Sequence, residues 1–381
     1  MSIAKIKIGD VTDILSGFAF KSDLFSEDAG FPVIRIRDVL RGRTETYYTG
    51  DYDERFIIND GDIVIGMDGN FNAARWKGGK ALLNQRVCKI TARSDVLDES
   101  YLFHFLPLVL KKIEDATPFV TVKHLSANGL RDEAIPLPAL AEQRRIAAIL
   151  DKADTLRAKR YEAFAHLDRL AQSIFVEMFG DPATNPKGWP VRKIGDLLTS
   201  ASYGTSEKSG TEGKFPVLRM NNITRTGEMD FADLKYTDLD ESEYDRYLVK
   251  QGDVLFNRTN SAELVGKTAL YRREDPMAYA GYLIRLRTND ENDPEYLAGF
   301  LNTDYSKRIL RSMCKSIIGM ANINATEIQA MRIAQPPRAI QNEYRERISG
   351  IVSSKALHQR VLREGENLFA SLQLRAFTGE L

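Results

Sequence analysis

From Ala139 to Phe179 apolar residues recur at three- and four-residue spacings among Arg, Lys, Glu and Asp, with no interior proline or glycine. That period predicts one long amphipathic helix with Ile146, Ile149, Leu156, Leu167, Leu170 and Ile174 on its stripe. Roughly 35 residues at about 1.5 Å each make a rod on the order of 50 Å. A second helix is predicted from about Ala339 to Phe377, striped by Tyr344, Ile348, Ile351, Leu362, Phe369 and Leu372. Lys355, His358 and Gly365 interrupt this stripe, so a bend is expected there. Neither rod can bury its stripe alone, and each is the natural partner of the other. An antiparallel pair is expected, because it leaves one end for each of two globules.

Ahead of each rod the period is two. Pro32–Arg37, Ile63–Gly66 and Val87–Ile90 read as strands in the first half, and Pro216–Met220, Val254–Phe256 and Tyr282–Arg287 in the second. Tyr101–Lys112 and Pro294–Cys314 read as helices. Each half therefore predicts a mixed α/β globule of about 135 to 150 residues. The expected domains are 1–138, a helical spacer 139–180, 181–336 with a hinge at Asp181–Gly188, and a second spacer 337–381.

The two halves repeat each other. Ile8-Gly9-Asp10 returns as Ile194-Gly195-Asp196, Phe31-Pro32-Val33-Ile34-Arg35 as Phe215-Pro216-Val217-Leu218-Arg219, and Gly61-Asp62-Ile63-Val64 as Gly252-Asp253-Val254-Leu255. Tyr101-Leu102 matches Tyr296-Leu297, and Pro136-Leu137-Pro138 before Gln143 matches Gln335-Pro336-Pro337 before Gln341. Five matches in one order predict a single fold used twice, an internal pseudo-twofold repeat.

Composition narrows the function. With 381 residues, 43% hydrophobic and 28% charged, the chain is an ordinary globular protein with room for two domains. Lys+Arg and Asp+Glu are both 53, so any nucleic-acid surface must be local. Cys88 and Cys314 lie far apart and form no metal-ligand spacing with the four histidines. The start of the chain reads as no secretory leader, and Tyr101–Leu110 is too short to span a bilayer, so a cytoplasmic place with no membrane partner is expected.

Catalytic motifs are incomplete. Gly266-Lys267-Thr268 has Ser261 where a phosphate loop needs a glycine, Glu212-Gly213-Lys214 lacks a preceding acid, and Asn185-Pro186-Lys187 lacks the second proline and aromatic of an adenine methylase. His104 on an apolar helix reads as core. What stands out is the mixture of cationic and amide side chains in equivalent loops. In the first copy these are Lys21, Arg35, Arg37, Asn72, Arg75, Lys77, Lys80, Asn84 and Gln85, with Trp76 or Phe71 available to pack on a sugar or base. In the second they are Arg219, Asn221, Asn222, Asn257, Arg258, Asn260 and Lys267. Arg and Lys suit guanine edges and phosphates, and Asn and Gln suit adenine edges, so these are candidate contacts to double-stranded DNA. A solvated hairpin is the plainer reading of the Asp68–Lys80 loop.

Four further stretches carry a family resemblance: Ser16-Gly17-Phe18-Ala19-Phe20-Lys21-Ser22, the Pro138–Leu150 exit with Glu142-Gln143-Arg144-Arg145-Ile146-Ala147, Phe175–Pro182, and Ser371–Leu381. With the duplication, the chain resembles the specificity (HsdS) subunit of type I restriction-modification systems. The resemblance implies two target recognition domains separated by an antiparallel coiled coil that docks two modification subunits. It implies a bipartite, asymmetric DNA target. It also implies no catalysis and no cofactor in this chain, with S-adenosylmethionine, ATP and Mg serving the partner methyltransferase and the ATP-dependent restriction subunits. Recognition chains that serve a fused nuclease-methylase resemble it too, and a coiled-coil scaffold without DNA binding is the alternative of another class. The second exit keeps Gln341 but not the Glu-Gln-Arg-Arg-Ile run, so the two ends are not expected to dock equally.

Overall fold

The computed structural model describes residues 3–117, 123–261, 263–317 and 320–381. It resolves into two compact units, Met1–Tyr161 with Val361–Leu381, and Glu162–Arg360. Each unit holds one globule and one end of each long helix. Among the described residues no helix is long and apolar enough to cross a membrane.

In the first unit, strands Thr12–Ser16, Val87–Ala92, Ile63–Gly66 and Ala73–Arg75 form an antiparallel sheet in that order. A second sheet runs Phe25–Ser26, Tyr47–Tyr48, Phe31–Ile34, Ala81–Leu83, Ile57–Ile58 and contains one parallel pairing, Val33 with Leu82. The second unit repeats this. Leu198–Tyr203, Leu283–Thr288, Val254–Asn257 and Thr268–Leu270 make the antiparallel sheet. Lys235–Thr237, Phe215–Leu218, Met277–Tyr279 and Leu248–Val249 make the mixed one, with Val217 parallel to Ala278. The predicted repeat is thus a repeat of topology and register.

The short apolar runs have a structural cause. Ile63 and Ile65 enter the core beneath the helix Glu99–Ala116, while Val64 enters the core of the second sheet. Val254, Phe256 and Leu255 divide in the same way. A strand buried on both faces reads as continuous hydrophobicity. The Gly-Asp before it is a turn: Gly61 and Gly252 take φ of 92° and 93°, and the following aspartates accept from Asn59 N and Lys250 N, both at 2.8 Å. Gly17 and Gly204 are equivalent as well. A Cβ on either would lie 2.1 Å from a main-chain oxygen, that of Asn84 or of Tyr279.

The central helix spans Leu140–Phe179 and the last helix Arg338–Thr378. Within the first unit Arg145 donates to the Leu381 carbonyl at 3.0 Å, Arg157 lies 4.4 Å over Phe369, and the Tyr161 hydroxyl donates to Glu366. Within the second, Asp168 pairs with Lys355 at 2.6 Å and Glu177 with Arg347 at 3.1 Å. As one number rises the other falls, so the helices are antiparallel in each unit.

Several local expectations are corrected. The last helix runs through Lys355, His358 and Gly365 unbroken, because Lys355 is not a stripe defect: it is buried between Asp168 and Glu228 (3.0 Å). Burial alone would lower that lysine, and the two carboxylates raise it instead. Pro294–Cys314 is two helices, Pro294–Leu301 and Asp304–Met313, since Thr303 caps the second by accepting from Ser306 N. The strand at Phe31 ends at Ile34 and the one at Phe215 ends at Leu218, each followed by a 3-10 turn. Asp181–Gly188 is no loose hinge: Lys187 Nζ donates to the carbonyls of Glu177 and Met178, and Trp189 Nε1 to that of Phe179. Leu156 and Leu170, on the stripe expected to pair the helices or dock a subunit, are about half exposed at 53% and 47%, which leaves them to the second of those roles.

Candidate nucleic-acid interface

Each globule is held to its helices by the same clamp. Gln143, with no exposure, accepts from Asp98 N at 2.8 Å and donates to the carbonyls of Val96 and Pro138. Gln341 accepts from Asp293 N at 2.8 Å and donates to Pro336. Asp98 and Asp293 in turn cap the helices that carry Tyr101 and Tyr296, whose hydroxyls reach Pro136 and Ala334. The glutamine noted in the exit motifs therefore faces inward and positions the globule.

The candidate contacts separate by exposure. In the first globule Lys21, Arg35, Lys77, Lys80 and Gln85 are exposed, and among the described residues none has a side-chain hydrogen bond or ion pair. Arg37 is exposed and donates to Thr46 at 3.2 Å. Asn72 donates to Asn70 within its own loop. Arg75 is turned inward, donating to Glu99 and Ser100 and lying 4.9 Å over Phe103. Asn84 is buried and accepts from Gln85 N. Trp76 and Phe71 are core residues, and Trp76 Nε1 donates to Gly79 at 2.7 Å, so neither ring is offered to a base or sugar.

In the second globule Asn221 is exposed, whereas Asn222 is 2% exposed and holds its turn, accepting from Arg219 N and donating to the carbonyls of Asp230 and Asp233. Arg219 pairs with Asp233 at 2.8 Å. Asn257 is wholly buried at a strand end. Arg258 lies 4.8 Å over Tyr203, and Asn260 sits half-buried in a strand paired with Ala321. Lys267 Nζ donates to the carbonyls of Met220 and Ile223, and burial pushes it down. The buried members of this set serve the fold because strand ends and tight turns need amide and ammonium donors as much as a base edge does. Sequence reasoning missed Arg41 and Arg43, which follow Arg35 and Arg37 in one short stretch and line a depression with Arg37.

Lys307 shows the same inward use. Its Nζ donates to Gly266 O at 2.6 Å, and burial, Arg311 and Lys267 push it down to about 7. Between that value and the ordinary lysine value the unfolded chain binds more protons than the folded one. Stability of the second unit is therefore expected to rise from pH 7 to 8.5, by up to about 1.4 kcal/mol per unit. Urea midpoints should show this rise and lose it in Lys307→Met. The window stops at 8.5 because burial also pushes up the Cys314 thiol of the same unit, which acts in the opposite direction at higher pH.

Among the described residues no cluster of His, Cys, Asp and Glu is placed to hold a metal, and His104 is buried against Asp151 at 2.7 Å. Residues 3–163 and 186–364 both match the type I restriction modification DNA specificity domain. The chain belongs to that family. The EcoBI specificity subunit of Escherichia coli is 29% identical over 420 aligned positions, covering 99% of this chain and 86% of that protein. The EcoKI specificity subunit of Escherichia coli K12 is 24% identical over 409, covering 98% and 88%. A crystal structure of the type I system S subunit from M. genitalium shares the fold, with a TM-score of 0.56 at 14% identity over 98% of this chain and 96% of that one. The chain is accordingly a specificity subunit that recognises DNA sequence through two domains, and it is not an enzyme on its own.

Proposed function

We propose that each recognition domain reads one part of a two-part, asymmetric duplex target, and that the subunit brings two adenine-N6 methyltransferase partners, and ATP-dependent restriction subunits, to that target. The observation that carries the reading is one topology present twice with different side chains at equivalent loop positions: Arg37 stands where Asn221 does, and Lys80 and Gln85 have no matching cation or amide in the second domain. Two copies of one scaffold with unlike surfaces suit two unlike half-sites. Lys21, Arg35, Arg37, Lys77, Lys80 and Gln85 are the contacts in the first domain, and Asn221, Arg258 and Asn260 those in the second. The methyltransferases dock on exposed leucines of the long helices, Leu156, Leu368 and Leu374 in the first unit and Leu170 and Leu357 in the second.

The test is methylation of a random-sequence DNA library by the cognate methyltransferase with S-adenosylmethionine, with and without this chain. N6-methyladenine confined to one two-part sequence, and only with the chain present, is the expected result. Arg258→Ala is expected to relax discrimination in one half-site alone. Unpatterned methylation in the presence of the chain would reject the reading.

A further inference from the structure

We propose that the arginine turn at residues 35–43, together with Lys77, is a phosphate clamp that the second domain lacks, so that the first domain supplies most of the salt-dependent part of DNA affinity. This rests on the reading of the chain as a duplex-DNA binder and assigns that binding unequally to the two domains.

Arg37, Arg41 and Arg43 line one depression with Asp38 and Glu45. Gly42, at φ 66°, turns the chain between two arginines, and its Cβ position lies 3.6 Å from Lys77 Cβ, which places the lysine beside them. Among the described residues the side chains of Arg35, Arg41, Arg43 and Lys77 have no hydrogen bond or ion pair. Asp38, 2% exposed, accepts from Arg35 N through one oxygen and pairs with Arg37 Nε at 3.8 Å through the other, which leaves Arg35, Arg41, Arg43 and Lys77 without a counter-charge. The cluster therefore presents several unneutralised guanidinium groups with one exposed acid, Glu45, beside them. Guanidinium forks match phosphate oxygens.

The same places in the second domain are neutral or engaged. With Arg35 set on Arg219, Arg37 falls on Asn221 and Arg43 on Gly227. The strand registers Ile63 with Arg75 and Val254 with Leu270 set Lys77 on Arg272, which is bound to Glu295 at 2.8 Å. Arg219 is held by Asp233. Only Arg225 remains, opposite Arg41, and it borders a cavity with Glu228. At these places the second domain offers the neutral amide of Asn221, whose contacts release no counterions, and Arg258 is the one cation among its proposed contacts.

The experiment is equilibrium binding of the full chain, assembled with its methyltransferase partners, to a fluorescent duplex carrying the mapped target and to one with substituted bases, from 50 to 200 mM KCl. Each of Arg41→Ala, Arg43→Ala and Lys77→Ala is expected to reduce the slope of log K against log salt by about 0.9, equally on both duplexes. The triple variant should lose about 40-fold less affinity than wild type across that salt range. Arg219→Ala, which removes a cation already paired with Asp233, and Arg225→Ala should leave the slope unchanged, and Asn221→Arg should steepen it. A wild-type slope in the triple variant, or an equal drop in the second-domain variants, overturns the proposal. Failure of the underlying reading looks different: the wild-type assembly would then not distinguish the two duplexes at all.

Discussion

Asp253→Ala is expected to destabilise the second unit by about 3–5 kcal/mol, whereas Asp62→Ala at the equivalent turn of the first costs about 1–2 kcal/mol. Both aspartates cap the same glycine turn, so the difference isolates what else each one does. The Asp253 carboxylate is 4% exposed and takes two hydrogen bonds from Arg287, at 2.7 and 3.1 Å, with Arg285 Nε at 3.9 Å. Arg285 is itself buried, its remaining donors on the carbonyls of Leu248 and Asp245. Removing the carboxylate leaves one buried and one half-buried guanidinium with only the solvent-exposed Asp245, itself paired with Lys250, as a nearby negative charge. Asp62 faces a single cation, Lys89 at 2.8 Å, and both side chains are about one-fifth exposed, so water replaces much of what is lost. The two tryptophans, Trp76 and Trp189, lie one in each unit, and single-tryptophan variants assign each urea transition to its unit. Equal midpoint shifts for the two substitutions would show that the buried arginines do not depend on Asp253.

The long helices, the repeat and the antiparallel pairing were all legible because each leaves a periodic or positional mark. A 3.6-residue stripe without proline admits few structures, and five ordered matches admit one repeated fold. The clamp was legible only as a motif. Gln143 and Gln341 stood out by position, but nothing local distinguishes a glutamine that docks a partner from one that accepts a main-chain N–H across a junction formed with residues some 45 positions earlier. Lys355 misled for a related reason. A lysine in an apolar stripe reads as a defect until the acids that neutralise it, Asp168 and Glu228, are brought in from far along the chain.

The surface was the least legible part. Composition selected loops rich in Asn, Arg and Lys, and those residue types are also what turns and strand ends use internally. Asn222 and Asp38 occupy the same capping position in the two copies, and only the first has the chemistry of a base reader. Comparing the copies would have separated them: a position that accepts from the residue-35 or residue-219 amide in both is a property of the scaffold. Arg43, by contrast, has Gly227 at its place in the other copy, as a residue serving one half-site does.

Phe179→Ala and Phe377→Ala are each expected to cost about 3–5 kcal/mol, in the second and first unit respectively. Each ring ends a long helix and closes it on a globule. Phe179 is 3% exposed and packs at 4.6 Å from Tyr296, 5.1 Å from Tyr344 and 4.9 Å from Phe175. Phe377 packs at 4.9 Å from Tyr101 and 5.0 Å from Phe105. Glycines with φ of 85° and 83°, Gly180 and Gly379, then end both helices. The lost aromatic volume sits where three elements meet, so the site cannot collapse without moving a helix end. Hydrogen exchange should therefore show the effect locally, with protection falling over 170–179 in one variant and 370–378 in the other. Leucine at either position restores most of the buried volume and should cost less than about 1.5 kcal/mol. If alanine left the helix ends as protected as in wild type, the tyrosine clamp alone would be holding them. The shared Phe-Gly pattern at Phe179-Gly180 and Phe377-Thr378-Gly379 would then be a helix-stop signal and not a fastening.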